Sequence, residues 1–351
     1  MIKTTLLMLV LAYTFTVTAQ STMGNNFAFM DKEDIEMFNK DIGELFMSSE
    51  NFSIDDFILF KGLKFIASKD WPNEVRLFDL DNTLIDKVKI REKDKGFVGL
   101  YRTKEDVYFA RRPQNGKVYQ LMFDALKPLR IKKKALEIPI SDLGYFSKII
   151  VRDNIFLFLV DFLSSTKGNN EIESAIFIKS DNAQLDTLAV INYQDGTNAV
   201  LQPLSSWTFD ISEINNSNHF VLQNFRTGHI SVIDRSGEEL NSINISELLL
   251  THDLKPYYQY LLGRRNYFNK VLNDYNEKNT FLYTGGINQD GTYEAVLFKW
   301  NVEQLKWLRV SIQNGGKPYP FVNLLSIDSQ KLYFTLEDKF GNKGIYKKEL
   351  N

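Results

Sequence analysis

VRLFDLDNTLIDKV (residues 75–88) and ISVIDRSGEELNSI (residues 230–243) superimpose without a gap. Asp79 falls on Asp234, Asn82 on Gly237, Ile85 on Leu240 and Val88 on Ile243. Each stretch reads as an apolar strand, a polar turn and a second strand, because apolar positions alternate on either side of residues that tolerate positive φ. Looser copies start at Val118 (VYQLMFDALKPLRI), Ala175 (AIFIKSDNAQLDTL) and Ala295 (AVLFKWNVEQLKWL), and a half copy, GIYKKEL, lies at the C-terminal end. The copies begin 43, 57, 55 and 65 residues apart. A second echo pairs INYQDGTNAV from Ile191 with INQDGTYEAV from Ile287. A period of about 55 residues suits a four-stranded β unit with its loops.

Between the copies run further apolar segments such as FILFKGLKFIA, KIIVRDNIFLFLVDF and HFVLQNFRTGHISVID, separated by short turns such as QNG, KGNN and RSG. The pattern resembles the NHL-type and related six-bladed propeller repeats, in which an apolar strand ending in Phe-Asp is followed by a turn and a second strand. The resemblance implies an all-β fold, a six-bladed β-propeller over residues 51–351, and it transmits no reaction, since this architecture hosts binding scaffolds, lactonases and lyases alike. Blades are expected over 51–91, 95–138, 145–190, 196–246, 253–310 and 317–351, with an N-terminal strand completing the last so that no edge stays unpaired. Residues 20–50 read as a helical segment, because Ile35, Phe38, Ile42 and Phe46 recur at spacings of three and four. A second short helix is expected as an insertion in the fifth blade, from about Tyr258 to Asn273.

The first residues, MIKTTLLMLVLAYTFTVTAQ, combine Lys3, an apolar run from Leu6 to about Val17 and small residues at Val17 and Ala19. That is the form of a secretory signal peptide, residues 1–19, cleaved after Ala19. The apolar run is too short to span a bilayer, and no transmembrane segment is expected in the mature chain. The protein is therefore expected to be secreted or periplasmic. Its 42 basic and 44 acidic residues leave no general positive charge for nucleic acid. The absence of cysteine excludes disulfides, thiolate nucleophiles and cysteine-ligated metals.

FDLDNTLID (residues 78–86) resembles the first motif of haloacid dehalogenase-like phosphatases. The resemblance would make Asp79 the nucleophile, Asp81 the acid and base, and Thr83 a loop residue, with magnesium. The surroundings are those of a hairpin: helices do not alternate with strands downstream, and the fourth repeat keeps Asp234 but replaces Asp81 with Ser236. A turn aspartate that bonds the backbone explains both positions, and the match is read as chance.

The imidazoles are His219, His229 and His252, none at the spacing of a helical zinc motif. His252 opens THDLKPYYQYLLGRRNYF, which breaks the repeat rhythm and concentrates Tyr257, Tyr258, Tyr260, Arg264, Arg265 and Tyr267. Insertions on one face of a repeat array often bind, and tyrosine with arginine can stack on sugars or peptides. His252, Tyr257, Tyr258, Arg264 and Arg265 are accordingly the expected ligand-binding residues. No catalytic residue, metal ligand or cofactor is expected. The expected function is a binding or scaffold module for a glycan, peptide or partner protein, ahead of a propeller hydrolase or lyase acting on a carbohydrate or lactone with His252 or His219 as base.

Overall fold

The two superimposable stretches fold alike. In a computed structural model the turn after Phe78 closes by Asp79 N donating to Thr83 O (3.1 Å), and the turn after Ile233 closes by Asp234 N donating to Glu238 O (3.0 Å). The carboxylates cap both turns: Asp79 Oδ1 accepts from Thr83 N (2.8 Å), and Asp234 Oδ1 from Ser236 N (2.7 Å) and Glu238 N (3.0 Å). Asn82 and Gly237 share a positive φ, 66° and 87°. The aspartate of the phosphatase-like string is thus a hairpin cap in the chain's two clearest repeats.

The structure describes residues 43–49, 54, 56–68, 74–89, 97–102, 106–111, 118–124, 130–136, 145–152, 155–164, 171–179, 185–194, 209–215, 217–261, 264–312, 322–337 and 343–350. The first strand is β1 (Glu44–Ser49). A first antiparallel sheet follows, with β2 (Asp56–Phe60), β3 (Leu63–Ser68), β4 (Glu74–Phe78) and β5 (Leu84–Lys89) in sequence order. The same meander recurs as β6 (Phe97–Arg102), β7 (Val107–Arg111), β8 (Val118–Asp124) and β9 (Arg130–Leu136). It recurs again as β10 (Tyr145–Arg152), β11 (Ile155–Ser164), β12 (Glu171–Lys179) and β13 (Leu185–Gln194), and as β14 (Phe209–Glu213), β15 (Phe220–Asn224), β16 (His229–Ile233) and β17 (Glu239–Asn244). A short helix, α1 (Ile245–Leu250), precedes β18 (Lys255–Pro256), β19 (Tyr258–Leu261), β20 (Arg264–Tyr267), β21 (Asn269–Asp274), β22 (Asn279–Ile287), β23 (Tyr293–Asn301) and β24 (Lys306–Val310). The last sheet holds β25 (Asn323–Asp328), β26 (Lys331–Glu337), β27 (Lys343–Glu349) and, outermost, β1.

Two-residue turns set the hairpins where both central residues have positive φ, as at Lys61-Gly62 (49° and 76°) and Ser329-Gln330 (50° and 60°). The first strand of each sheet packs on the first strand of the next: β2 on β6, β6 on β10, β10 on β14, β14 on β21, β21 on β25 and β25 on β2. This is a β-propeller. Apolar side chains fill the spaces between neighbouring sheets. Phe60, Phe65 and Leu77 pack against Val107 and Leu121, while Tyr283 and Leu297 pack against Phe334. Full burial of one such side chain contributes about 1.5–3 kcal/mol, so aromatic rings such as Phe60, Phe65, Tyr283 and Phe334 stabilise these interfaces strongly.

Three expectations are corrected. Five blades, not six, follow the four-strand pattern. The sheet over residues 255–310 has five strands, because one edge of β22 is shared by two short strands, β21 on Asn279–Thr284 and β18 on Gly286–Ile287. The insertion between them is a hairpin of β19 and β20, not a helix. Tyr257, Tyr260, Arg264 and Tyr267 have helical spacing, but Tyr258 and Tyr260 also alternate, and the paired partner Tyr267 decides for strand. Finally, the expected N-terminal helix gives way over Glu44–Ser49 to β1, which pairs with β27 as the predicted closing strand. There the open edge of β27 outweighs local periodicity; residues 20–42 of that prediction lie outside the described residues. Among the described residues no helix is long and apolar enough to cross a membrane.

The closing strand is pinned at the DLDN turn. Lys64, fully buried, donates to Leu80 O (2.8 Å) and Asn82 Oδ1 (2.5 Å) and lies 4.1 Å from the Phe46 ring centroid of β1. Burial lowers its pKa, opposed by Asp79 and Asp81, while Lys347 adds to the lowering.

Candidate functional site

The sheet that breaks the pattern also carries the expected ligand-binding residues. Asn244 caps α1, its Oδ1 accepting from Ser246 N at 2.9 Å. The chain leaves the helix through His252 and Asp253, the latter at φ 61°. It then buries Leu254 and enters β18. Leu254 needs Gly286 opposite, since a Cβ there would meet Leu254 Cδ1 at 3.0 Å. Tyr257 N donates to Gly285 O at 3.0 Å and fixes the start of the insertion.

The insertion is held against the neighbouring sheet as well as its own. Tyr267 N donates to Phe225 O, 2.6 Å, in the β15–β16 turn, and the Tyr267 hydroxyl is 2.9 Å from Ser246 Oγ. Gly228, at φ 73°, lies so close under the Tyr267 ring that a Cβ would stand 2.8 Å from it. Across the hairpin Tyr258 pairs with Tyr267, ring centroids 4.8 Å apart. These contacts fix the base of the hairpin without a helix.

Tyr257 turns the other way. Its ring meets Tyr293 edge-on at 5.5 Å and Phe268 at 6.4 Å. Tyr293, at the start of β23, is 56% exposed, while Tyr257 and Phe268 beside it are partly buried. Burial raises the Tyr257 pKa, with Tyr293 adding to it. Next to Tyr293, Glu294 is buried and paired: Arg309 Nη2 donates to its Oε1 (2.8 Å) and Asn288 Nδ2 to its Oε2 (3.2 Å). His252 lies on the same two strands, its ring 5.7 Å from Phe298. Burial lowers its pKa and Arg309 adds to the effect, against Asp253 and Glu294.

The expected residues thus divide. Tyr257 joins an aromatic ledge, Tyr258 locks the hairpin, and His252 sits beside the Arg309–Glu294 pair. Arg264 and Arg265 occupy the first positions of β20, opposite Leu261 and Tyr260. Sequence reasoning did not single out Tyr293, Phe268 or the Glu294–Arg309 pair; the echo INQDGTYEAV passes through Tyr293 and Glu294 but marks a turn rather than a ledge. The other histidines lie elsewhere. His229 Nε2 is 2.8 Å from Ser242 Oγ on β16 and β17, and His219 lies in the β14–β15 connection. Among the described residues no group of three or more His, Asp or Glu side chains is placed to hold a metal ion.

The opposite end of the ring is crossed by a polar belt built on the last residues of the first strands. Arg102, ending β6, reaches past β2 to Asp328 Oδ1 at 2.7 Å, donates to Leu59 O at 2.5 Å, and lies 5.4 Å from Phe60 and 5.1 Å from Tyr275. Asn276 Nδ2 bonds both Asp328 oxygens, at 3.1 and 3.2 Å. The Tyr275 hydroxyl donates to Glu213 Oε1 at 2.8 Å, and its pKa is raised well above the usual value, first by burial and then by the Glu213 charge. Asp274, fully buried, accepts from Ser329 N (3.0 Å) and Gln330 N (2.8 Å). Side chains from the first, second, fourth and last sheets and from the β21–β22 turn therefore meet here. β18 and the insertion lie at the other end, where β21 begins.

No family model matches the chain, and no curated protein does. Similarity to solved structures is distant. A protein of unknown function from Bacteroides caccae is 14% identical, with 79% of this chain and 83% of that one covered and a TM-score of 0.41. A member of the DUF4221 family from Bacteroides vulgatus is 8% identical, with 88% and 94% covered and a TM-score of 0.46. A luciferin-regenerating enzyme is 8% identical, with 88% and 92% covered and a TM-score of 0.44.

Proposed function

We propose that this chain is an exported binding protein whose insertion between the fourth and fifth repeats receives a glycan, peptide or partner protein without turning it over. In this reading residues 1–19 are a cleaved leader, residues 20–50 an N-terminal segment, and residues 51–351 a six-bladed ring of the NHL-like type. The count of six is supported by the cyclic packing of β2, β6, β10, β14, β21 and β25, and by a β21–β22–β23–β24 meander within the five-stranded sheet. The leader is supported by Lys3 and the apolar run that follows it.

One observation carries the binding reading: the exposed Tyr293 standing edge-on to Tyr257, at the sheet whose inner edge is, alone among the described residues, split by an insertion. An amphipathic ring held by a second ring is pre-organised, so little rotamer freedom remains to be lost on binding. The belt around Arg102 favours approach from the insertion's end of the ring. The test is a glycan and peptide array followed by titration of Tyr293→Ala, a substitution at an exposed ring. Binding should weaken by about ten-fold or more; equal affinity of wild type and variant for every captured ligand would overturn the assignment.

A hydrolase or lyase is the second reading. It draws on His252, whose lowered pKa leaves a neutral imidazole available as a base near neutral pH. Turnover of a bound carbohydrate or lactone, lost in His252→Gln while binding persists, would replace the first reading with this one.

A further inference from the structure

We infer that the tyrosine ledge is gated by pH: protonation of His252 unseats the connector between α1 and β18, which positions Tyr257, so that a ligand held near neutral pH is released in acid. This rests on the binding reading above and adds regulation to the same site. The connector ties the histidine to the ledge over a short length of chain. His252 N donates to Leu249 O (2.9 Å) and Leu254 N to the same oxygen (3.2 Å), with Asp253 between them at φ 61°. An aspartate in the left-handed region is held there by the contacts on either side of it. On one side the His252 ring lies 5.7 Å from Phe298, and on the other Leu254 is buried in the cluster that holds Val296 and Phe298. β18 then adds only Lys255, opposite Ile287, and Pro256, opposite Gly286, before Tyr257 N reaches Gly285 O (3.0 Å). So short a strand has little hold of its own, and the seat of Tyr257 depends on the packing at His252 and Leu254. Tyr257 in turn backs the exposed Tyr293 ring at 5.5 Å.

The surroundings of His252 suit a neutral ring and not a cation. Alternation along β23 puts Glu294 and Phe298 on the face opposite Tyr293, and the His252 ring packs on that face. Three charges act on the imidazole: Arg309 on β24, Glu294 on β23 and Asp253 on the connector itself. The Glu294 oxygens already accept from Arg309 and Asn288, and Asp253 is exposed, so water screens its attraction. The one charged residue of α1 is Glu247, in its first turn, and Lys255 lies in register with Ile287 and Tyr293 on the other face. Among the described residues neither imidazole nitrogen has a hydrogen-bond partner. An imidazolium there would meet Arg309 as a like charge with no protein acceptor to offset it. Burial and Arg309 accordingly outweigh Asp253 and Glu294, and the pKa is lowered. Release of the connector returns the ring to water, where its pKa is about 6.5. Acid therefore favours the unseated connector, because the state that binds the proton better gains population.

The experiment follows hydrogen exchange of the ligand-free mature protein at about pH 7.5 and about pH 5.5, corrected for the intrinsic pH dependence of exchange, on peptides covering Leu254–Tyr258. A histidine in water is protonated about ten to one at the lower pH, which sets the ceiling of the effect. Opening of the connector should rise by about two- to ten-fold on acidification of the wild type and stay constant in His252→Gln, while peptides from β3 and β26 keep constant protection. If His252→Gln does not fold, the imidazole is titrated by NMR in the wild type. A midpoint below about 6.5 is expected there, and one at or above it would overturn the gate. No rise in the wild type, the same rise in His252→Gln, or a rise shared by all the sheets would overturn it as well. These outcomes are read without ligand and leave the binding reading standing. A gate that opens as expected beside a ledge that captures nothing from the glycan and peptide arrays would overturn the release of a ligand, and the binding reading with it.

Discussion

Replacing Arg102 by Met should be among the most damaging single substitutions in the ring. The guanidinium makes a 2.7 Å ion pair with Asp328 and a hydrogen bond to Leu59 O, and it lies near the rings of Phe60 and Tyr275. The Arg102 and Asp328 side chains are 11% and 7% exposed, so solvent screens the pair little. Met fills much of the stem volume and leaves a buried carboxylate with only Asn276 and Ser329 as side-chain donors. Breaking a buried pair from one side costs about 3–5 kcal/mol, because the remaining charge keeps its desolvation penalty. For roughly 300 ordered residues the unfolding entropy makes 1 kcal/mol worth about 1.6 °C, so the melting temperature should fall by about 5–8 °C. Arg102→Met/Asp328→Leu, which removes both charges, should recover most of the loss. Urea unfolding followed by tryptophan fluorescence measures all three differences, with Trp300 and Trp307 as buried reporters. If Arg102→Met stays within about 1 kcal/mol of wild type, or the double variant is no better than the single, the belt does not hold the ring as argued.

Three further outcomes follow from the same geometry. Gly228→Ala should destabilise by about 2 kcal/mol or more, since it combines a positive φ of 73° with a Cβ pressed 2.8 Å from the Tyr267 ring; adding Tyr267→Ala should relieve the steric part, and thermal melts of the pair decide. His252, whose folded pKa lies below its unfolded value of about 6.5, contributes stability that is present above that pH and lost as pH falls through the folded pKa; His252→Gln should flatten that part of a stability-versus-pH curve, and an unchanged curve would count against it. Secretion from a glycosylating host should leave Asn215 and Asn244 unmodified, because Asn215 Nδ2 donates to Asp274 O and Asn244 caps α1, a point settled by peptide mass spectrometry.

What could be read from the chain depended on repetition. The pairing of Val75 with Val88 and of Ile230 with Ile243, which the aligned repeats imply, is the pairing found. Asp79 and Asp234 cap equivalent turns for the reason the repeat suggested. The belt was invisible by the same logic. Phe60, Arg102, Glu213, Asp274 and Asp328 are equivalent only as last residues of first strands, and their chemistries differ because each complements its neighbours instead of copying them. The insertion was found from its composition and misread in its secondary structure, since tyrosines spaced for a helix face also suit alternate positions on a ribbon. Phe46 shows the corresponding limit at the N-terminus: its spacing is helical, but the open edge of β27 and the Lys64 ammonium supply partners that no local pattern records.

The proposed placement of a binding site on the insertion draws on what the rest of the ring has already committed. In the regular blades, turn carboxylates such as those of Asp79 and Asp234 bond their own backbone, and charges at the belt are matched from several sheets at once. A group so engaged would have to break an internal bond before meeting a ligand, and an internal bond to a charged group is worth about 1.5–3 kcal/mol. The split edge of β22 is different. There the fold uses Tyr257 N, Tyr267 and Leu254 to anchor an extra ribbon, and Tyr293 beside it stays exposed. Because Tyr267 N is bonded to Phe225 O of the neighbouring sheet, a ligand held by the ribbon is coupled to two blades rather than one. Binding should therefore raise the resistance of the β15–β16 turn to hydrogen exchange along with that of β19 and β20. Protection confined to the hairpin would mean that it binds as a separate flap, and that the Gly228–Tyr267 contact serves packing alone.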